Sequence, residues 1–98
     1  AGVKIYPEQI EEQIRALIDV PFFIAGIENQ RTGQEVAIAL EKRAVTLKET
    51  NDFKKRFEIL GKLYCPKTIL TIPHFIRTEN GKINRKESLQ QVAMRISI

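Results

Sequence analysis

Cysteine occurs once in the chain, at Cys65, so no disulfide framework can form within it. A reducing compartment is the expectation, with the cytoplasm favoured. No stretch approaches the roughly 18 consecutive apolar residues of a membrane-spanning helix, and the first residues lack a basic segment followed by a hydrophobic one. A soluble chain without a membrane span or leader is expected. Blocks of five or more like charges are missing as well. Basic and acidic residues are interspersed, and the net charge of +4 favours anionic partners (nucleotide, coenzyme or RNA) without demanding nucleic acid. The chain also lacks a glycine-aromatic RNP-type run or an aromatic cluster that could stack bases, which counts against an RNA-binding module. A phosphate-binding P-loop is excluded, because its first glycine would fall at Ile76 and the Ser/Thr after its lysine at Ile83.

What is present fits one small domain: 98 residues, 43% of them hydrophobic, can build a modest core. Ala1 to Tyr6 reads as a loop and short strand opening in mid-pattern, as expected of a piece of a longer protein. Pro7 suits the first turn of a helix, and Glu8, Glu11 and Glu12 place negative charge near the positive end of its dipole. Ile10, Ile14, Leu17 and Ile18 recur at helical spacing, predicting an amphipathic helix over Pro7 to Ile18 that Asp19-Val20-Pro21 ends. Phe22 to Ile27 is a short strand, with Pro21 at its start or on a sheet edge. A polar turn at Glu28 to Gln34 leads into Glu35 to Glu41, whose alternation has the period of a half-buried strand; the two runs suggest an antiparallel hairpin.

Thr46-Leu47-Lys48-Glu49 matches the capping box, and a second helix should begin there with Phe53, Phe57 and Leu60 on one face. Its other face carries Lys54, Lys55 and Arg56. Such a face is ordinarily only solvated, although it could also be a landing patch for a polyphosphate. Gly61 suits a helix end, Tyr64-Cys65-Pro66 a turn, and Thr68 to Ile72 a third strand closed by Pro73. His74 is expected to be partly buried and hydrogen-bonded. Asn84 can cap a last helix with Glu87 three residues on and an apolar stripe of Leu89, Val92, Ala93 and Ile96. The pattern is a small α+β domain, with an antiparallel or mixed three-stranded sheet packed by two or three helices.

One stretch carries a spacing with chemical meaning. Glu79-Asn80-Gly81 is a turn signal, because Asn and Gly tolerate positive φ, and it should hold Lys82 at the tip or exit of a tight loop. An ammonium presented there suits a carboxylate or phosphate oxygen. A lysine beside a turn is otherwise simply solvated.

Two segments together go beyond generic pattern. Gly2-Val3-Lys4-Ile5-Tyr6-Pro7-Glu8-Gln9-Ile10-Glu11 resembles the segment just after the hinge in adenylate-forming acyl- and aryl-CoA ligases. Thr78-Glu79-Asn80-Gly81-Lys82-Ile83-Asn84-Arg85 resembles that superfamily's last core motif, which contains its catalytic lysine. Their order and separation match the family's C-terminal subdomain over nearly the whole chain. Gly33-Gln34-Glu35-Val36 and Pro66-Lys67 are similar to its turns into the second and third strands. Ile76 departs from the family's common proline, Thr32 from a bulky residue, and Leu63-Tyr64-Cys65 from the usual tyrosine-containing turn.

The resemblance implies that residues 1–98 form the C-terminal lid of an AMP-forming ligase whose large N-terminal domain is its partner. A carboxylic acid first attacks ATP to give an acyl-adenylate; the lid then rotates, and coenzyme A attacks the acyl carbon. Lys82 would be catalytic in the first step. Gly2, Val3, Lys4, Gly81 and Arg85 would lie toward nucleotide or coenzyme A, a glycine permitting close backbone approach. ATP and Mg²⁺ would be bound mainly by the large domain, with no metal ligand on this chain, no nucleic acid as partner and no activity in the lid alone. The lid of a peptide-synthetase adenylation domain has the same pattern and stays open as an alternative, as does a basic RNA-binding module.

Overall fold

Helix α1, Pro7–Ile14, starts at the proline, with Glu8 as the acidic residue of its first turn, and it ends four residues earlier than the periodicity predicts. The Leu17 N–H donates to the Ile14 carbonyl at 2.7 Å, so the chain tightens into a turn there. Ile18 still reaches the core, although no longer as part of a helix. The computed structural model describes residues 6–29, 31, 33–61 and 65–98. None of its helices is long and apolar enough to cross a membrane.

Strands β1 (Phe22–Asn29) and β2 (Gly33–Glu41) form the expected antiparallel hairpin, with Phe22 opposite Leu40 and Ala25 opposite Ala37. Helix α2, Leu47–Phe57, opens on a complete capping box: the Glu49 N–H donates to the Thr46 hydroxyl at 3.1 Å, and the Thr46 N–H to the Glu49 carboxylate at 2.9 Å. A 3₁₀ turn over Glu58–Leu60 extends it to Gly61, whose φ of +78° is one that only glycine adopts without strain. Strand β3, Thr68–Ile72, has the predicted bounds and runs parallel to β2, the helix between them making the crossover.

The C-terminal region departs from the sequence reading. Helix α3 covers only Arg85–Leu89, and residues Met94–Ser97 form a fourth strand, β4, antiparallel to β3 with Ile96 opposite Ile69. The sheet is therefore mixed and four-stranded, in the order β1-β2-β3-β4, not three-stranded. The physical reason is the open edge of β3. The Ala93 N–H donates to the Thr71 carbonyl at 2.7 Å and the Met94 N–H to the Thr71 hydroxyl at 3.0 Å, bonds to a buried residue that outweigh the helical spacing of Leu89, Val92, Ala93 and Ile96.

Both faces of the sheet are covered. On one lie α1 and α2, with Ile10, Ile14, Phe53 and Phe57 against Ile24, Ile38 and Ile69. On the other, Phe23, Ala25, Ala37, Ala39, Leu70 and Ile72 pack beneath Phe75, Ile83, Leu89 and Val92. Val36 through Leu40 are consequently buried without a break, so β2 is not the half-exposed strand that its alternation suggests. His74 is exposed rather than partly buried, because it lies outside Phe75, which takes the buried position.

Candidate functional site

The second face of the sheet is covered by a hairpin, and Lys82 stands at its exit. The Gly81 N–H donates to the Thr78 carbonyl at 2.9 Å, closing a tight turn over Glu79 and Asn80, and the Thr78 N–H donates to the Lys82 carbonyl at 2.8 Å. Gly81 sits at φ +83° while Asn80 keeps a negative φ, the arrangement of a turn followed by a one-residue bulge. Below the turn, Arg77 and Ile83 pair as an antiparallel bridge and the Asn84 N–H donates to the Ile76 carbonyl at 2.7 Å. Glycine at 81 thus lets the chain reverse within one turn. The bulge turns the Lys82 side chain to the surface, where it is exposed and joins no ion pair or hydrogen bond among the described residues.

Both stems of this hairpin are tied down. On the ascending side, Glu41 at the end of β2 receives the Arg77 guanidinium through two hydrogen bonds of 2.8 and 2.9 Å and the Phe75 N–H at 2.7 Å. The Arg77 bonds hold the Glu41 carboxyl below its ordinary pKa, with the Phe75 N–H acting in the same direction, while Glu41 raises that of Arg77. The Ile76 N–H donates to the Ser88 hydroxyl at 2.8 Å, joining the ascending side to α3. On the descending side, the Asn84 side chain accepts from the Glu87 N–H at 3.0 Å, capping α3 as predicted.

Arg85 then reaches back to α1. Its guanidinium makes two hydrogen bonds, of 2.7 and 2.9 Å, to Glu11, which also accepts the Ile24 N–H at 2.8 Å. The Arg85 guanidinium carbon lies 5.8 Å from the centre of the Phe23 ring. Glu11 is buried, and its carboxylate is matched by three N–H donors, which is how an ionised group is tolerated away from water. Arg85 thereby ties the hairpin to α1 and β1.

The sequence candidates divide accordingly. Gly81 and Lys82 stand in the hairpin turn and Arg85 opens α3 just beyond it; both charged side chains are exposed, Lys82 without an ion pair among the described residues and Arg85 paired to Glu11. Gly2, Val3 and Lys4 lie outside the described residues. Lys54 and Lys55 are exposed on α2, whereas Arg56 donates to the Leu17 carbonyl at 3.1 Å and lies over Phe53. Helix α2, through Phe53 and Phe57, packs on the opposite side of the sheet from the hairpin. Cys65 is half-buried, and burial raises its thiol pKa, so it is a poor nucleophile. Sequence reasoning missed Glu41 and Ser88 as holders of the loop. The only local hint was a carboxylate ending an apolar strand.

No protein-family model and no curated protein matches the sequence. Solved structures do match in fold. An acyl-CoA synthetase (AMP-forming)/AMP-acid ligase II-like protein from Dyadobacter fermentans aligns over 90% of this chain with a TM-score of 0.77 and 24% identity. An o-succinylbenzoate-CoA synthetase from Bacillus subtilis, bound to a product analogue, aligns over 96% with a TM-score of 0.63 and 20% identity. ATP-bound MatB from Rhodopseudomonas palustris aligns over 91% with a TM-score of 0.66 and 20% identity. The chain spans only 27%, 19% and 18% of the lengths of these three proteins. Its fold is one that AMP-forming acyl-CoA synthetases contain as a fraction of a much larger chain.

Proposed function

We propose that this chain is the C-terminal lid of an ATP-dependent, AMP-forming carboxylate-CoA ligase, and that Lys82 acts in acyl-adenylate formation. The observation that carries this reading is the unpartnered ammonium of Lys82 at the exit of a hairpin tied down on both stems. A carboxylate and the α-phosphate of ATP repel each other, and a fixed ammonium between them offsets that repulsion and sets the line of attack. ATP fits this chain at Lys82, through an ammonium suited to phosphate oxygens. In this reading Mg²⁺ would be bound mainly by the large domain. Coenzyme A would meet the lid after rotation, near Gly2, Val3 and Lys4.

The test is to time the two half-reactions separately in the full-length ligase. Lys82→Ala should slow acyl-adenylate formation by a factor on the order of 10² to 10³, the scale for losing one preorganised charge-stabilising donor. Thioester formation from supplied acyl-adenylate should be nearly unchanged. Lys82→Arg should fail as well, because a planar fork does not replace a compact ammonium. Lys86→Ala, on α3, should behave as the parent. Equal loss in both halves for Lys82→Ala would overturn the assignment.

For the acid itself we propose o-succinylbenzoate, the substrate of a ligase of menaquinone biosynthesis. Supporting this are the two flanking sequence segments and the fold likeness to Bacillus subtilis o-succinylbenzoate-CoA synthetase, also matched in its unliganded form with a TM-score of 0.59. Pyrophosphate release measured across a panel of aliphatic and aromatic acids decides it; a preference for any other acid refutes it.

A further inference from the structure

We infer that Glu41 is a positioning residue for the lysine loop, an inference that rests on the lid reading above. Glu41 is the last residue of β2, paired in register with Ile72 at the end of β3. Beyond Ile72 the chain leaves the sheet, and the Phe75 N–H, on a buried residue, has the Glu41 carboxylate as its acceptor at 2.7 Å. The same oxygen takes one Arg77 N–H at 2.8 Å, and the other oxygen takes the second at 2.9 Å. One carboxylate thus fixes the hairpin's ascending strand at two points. Arg77 bridges Ile83, and its neighbour Thr78 bonds the Lys82 carbonyl, so the constraint passes to Lys82 through a single rung.

An exposed ion pair would contribute little. Here the Glu41 side chain is only 16% exposed, its contact with Arg77 is two-pronged, and a backbone N–H shares the carboxylate. Without it, the hairpin keeps its turn but loses its attachment to the end of the sheet, and Lys82 swings. Glutamine has the same length as glutamate but offers one acceptor oxygen, which cannot serve Phe75 and both arms of Arg77.

In the full-length ligase, Glu41→Gln should slow acyl-adenylate formation by roughly 10- to 100-fold, the scale for a reacting group displaced by about an ångström. The KM values for ATP and acid and the rate of thioester formation from supplied acyl-adenylate should stay near the parent's, while the thermal midpoint should fall, because a part-buried N–H loses its acceptor. In a Lys82→Ala background, Glu41→Gln should add no further loss, because the two residues act through one group. Slowing of both half-reactions alike, or losses that multiply in the double variant, would overturn the inference. If Lys82→Ala leaves adenylation intact, the lid reading itself fails. If Lys82→Ala is slow and Glu41→Gln keeps the parent rate, only the positioning role fails. Should Glu41→Gln not fold, Arg77→Gln leaves Phe75 its acceptor and must show the same selective loss; parent-like adenylation in that variant also overturns the inference.

Discussion

The two faces of the sheet are built on different principles. The face under α1 and α2 is filled by large side chains at helical and strand spacing, such as Ile14, Phe53 and Phe57 against Ile24 and Ile38. The face under the hairpin is lined on β1 and β2 by Ala25, Ala37 and Ala39, which lets a layer without a long helix lie close to the strands. Its larger members meet at Phe23 and Phe75, whose rings are tilted by 56° with centres 5.1 Å apart. Each layer also has one ion pair at the end of β2, and what differs is the apolar contact beside it. Successive residues at the end of β2 fasten opposite layers: Lys42 holds Glu49 of α2, and Glu41 holds Arg77 of the hairpin. On the helical face the ion pair adds to bulk apolar contact. Charge-assisted hydrogen bonds orient the other, which carries Lys82, and such bonds fix an angle as well as a distance.

If this division is correct, damage to the helical face should cost stability without selectivity. Phe57 is fully buried and stacks on Phe53 with ring centres 6.1 Å apart. Phe57→Ala should therefore destabilise the fold by about 3 to 5 kcal/mol. Urea unfolding measures that, and if the chain is the lid of the proposed ligase, the ratio of the two half-reaction rates in the remaining folded enzyme should not change.

On the hairpin face a smaller energetic change should have a larger functional one. Ala39 is fully buried against the hairpin layer, and Ala39→Leu overfills that space at a cost of about 1 to 3 kcal/mol. On the proposed lid function, adenylate formation should slow while thioester formation holds. Equal slowing of both would erase the distinction between the faces.

The smallest effect tests the polar fastening of the helical face. Hydrogen bonding from Lys42, then from the Thr46 N–H, lowers the Glu49 carboxyl to about 2. A folded pKa below the unfolded value of roughly 4.3 means stabilisation that is complete above that value and lost as pH falls toward 2. Glu49→Gln should lower the thermal midpoint slightly at pH 7, and the gap from the parent should close between about pH 4.5 and 2. A gap that persists at pH 2 would assign the effect to packing.

Much of this fold was legible in the sequence because its signals are local. The capping box at Thr46 and Glu49, the bounds of β3, the β1–β2 hairpin and the turn at Gly81 each depend on residues within a few positions of one another. Strand β4 was hidden because Leu89, Val92, Ala93 and Ile96 imitate a helical stripe. The competing signal, Ile96 and Ile98 two apart, means something only once the edge of β3 needs a partner. The hairpin's supports were illegible for a plainer reason: Arg77 meets Glu41 across 36 positions and Arg85 meets Glu11 across 74. No periodicity encodes such pairs. They emerge when tertiary packing brings the two ends of the chain together, and Glu11, expected to serve the helix dipole, serves Arg85 instead.

The bond from the Ile24 N–H to Glu11 has a further consequence. Among the described residues β1 is an outer strand, and Ile24 directs this donor away from β2, where an approaching chain could use it to add a strand. A carboxylate from α1 already occupies that donor. Self-templated growth from this side would have to displace a buried charge from its hydrogen bonds. The residue that steadies the hairpin is therefore also a guard against aggregation.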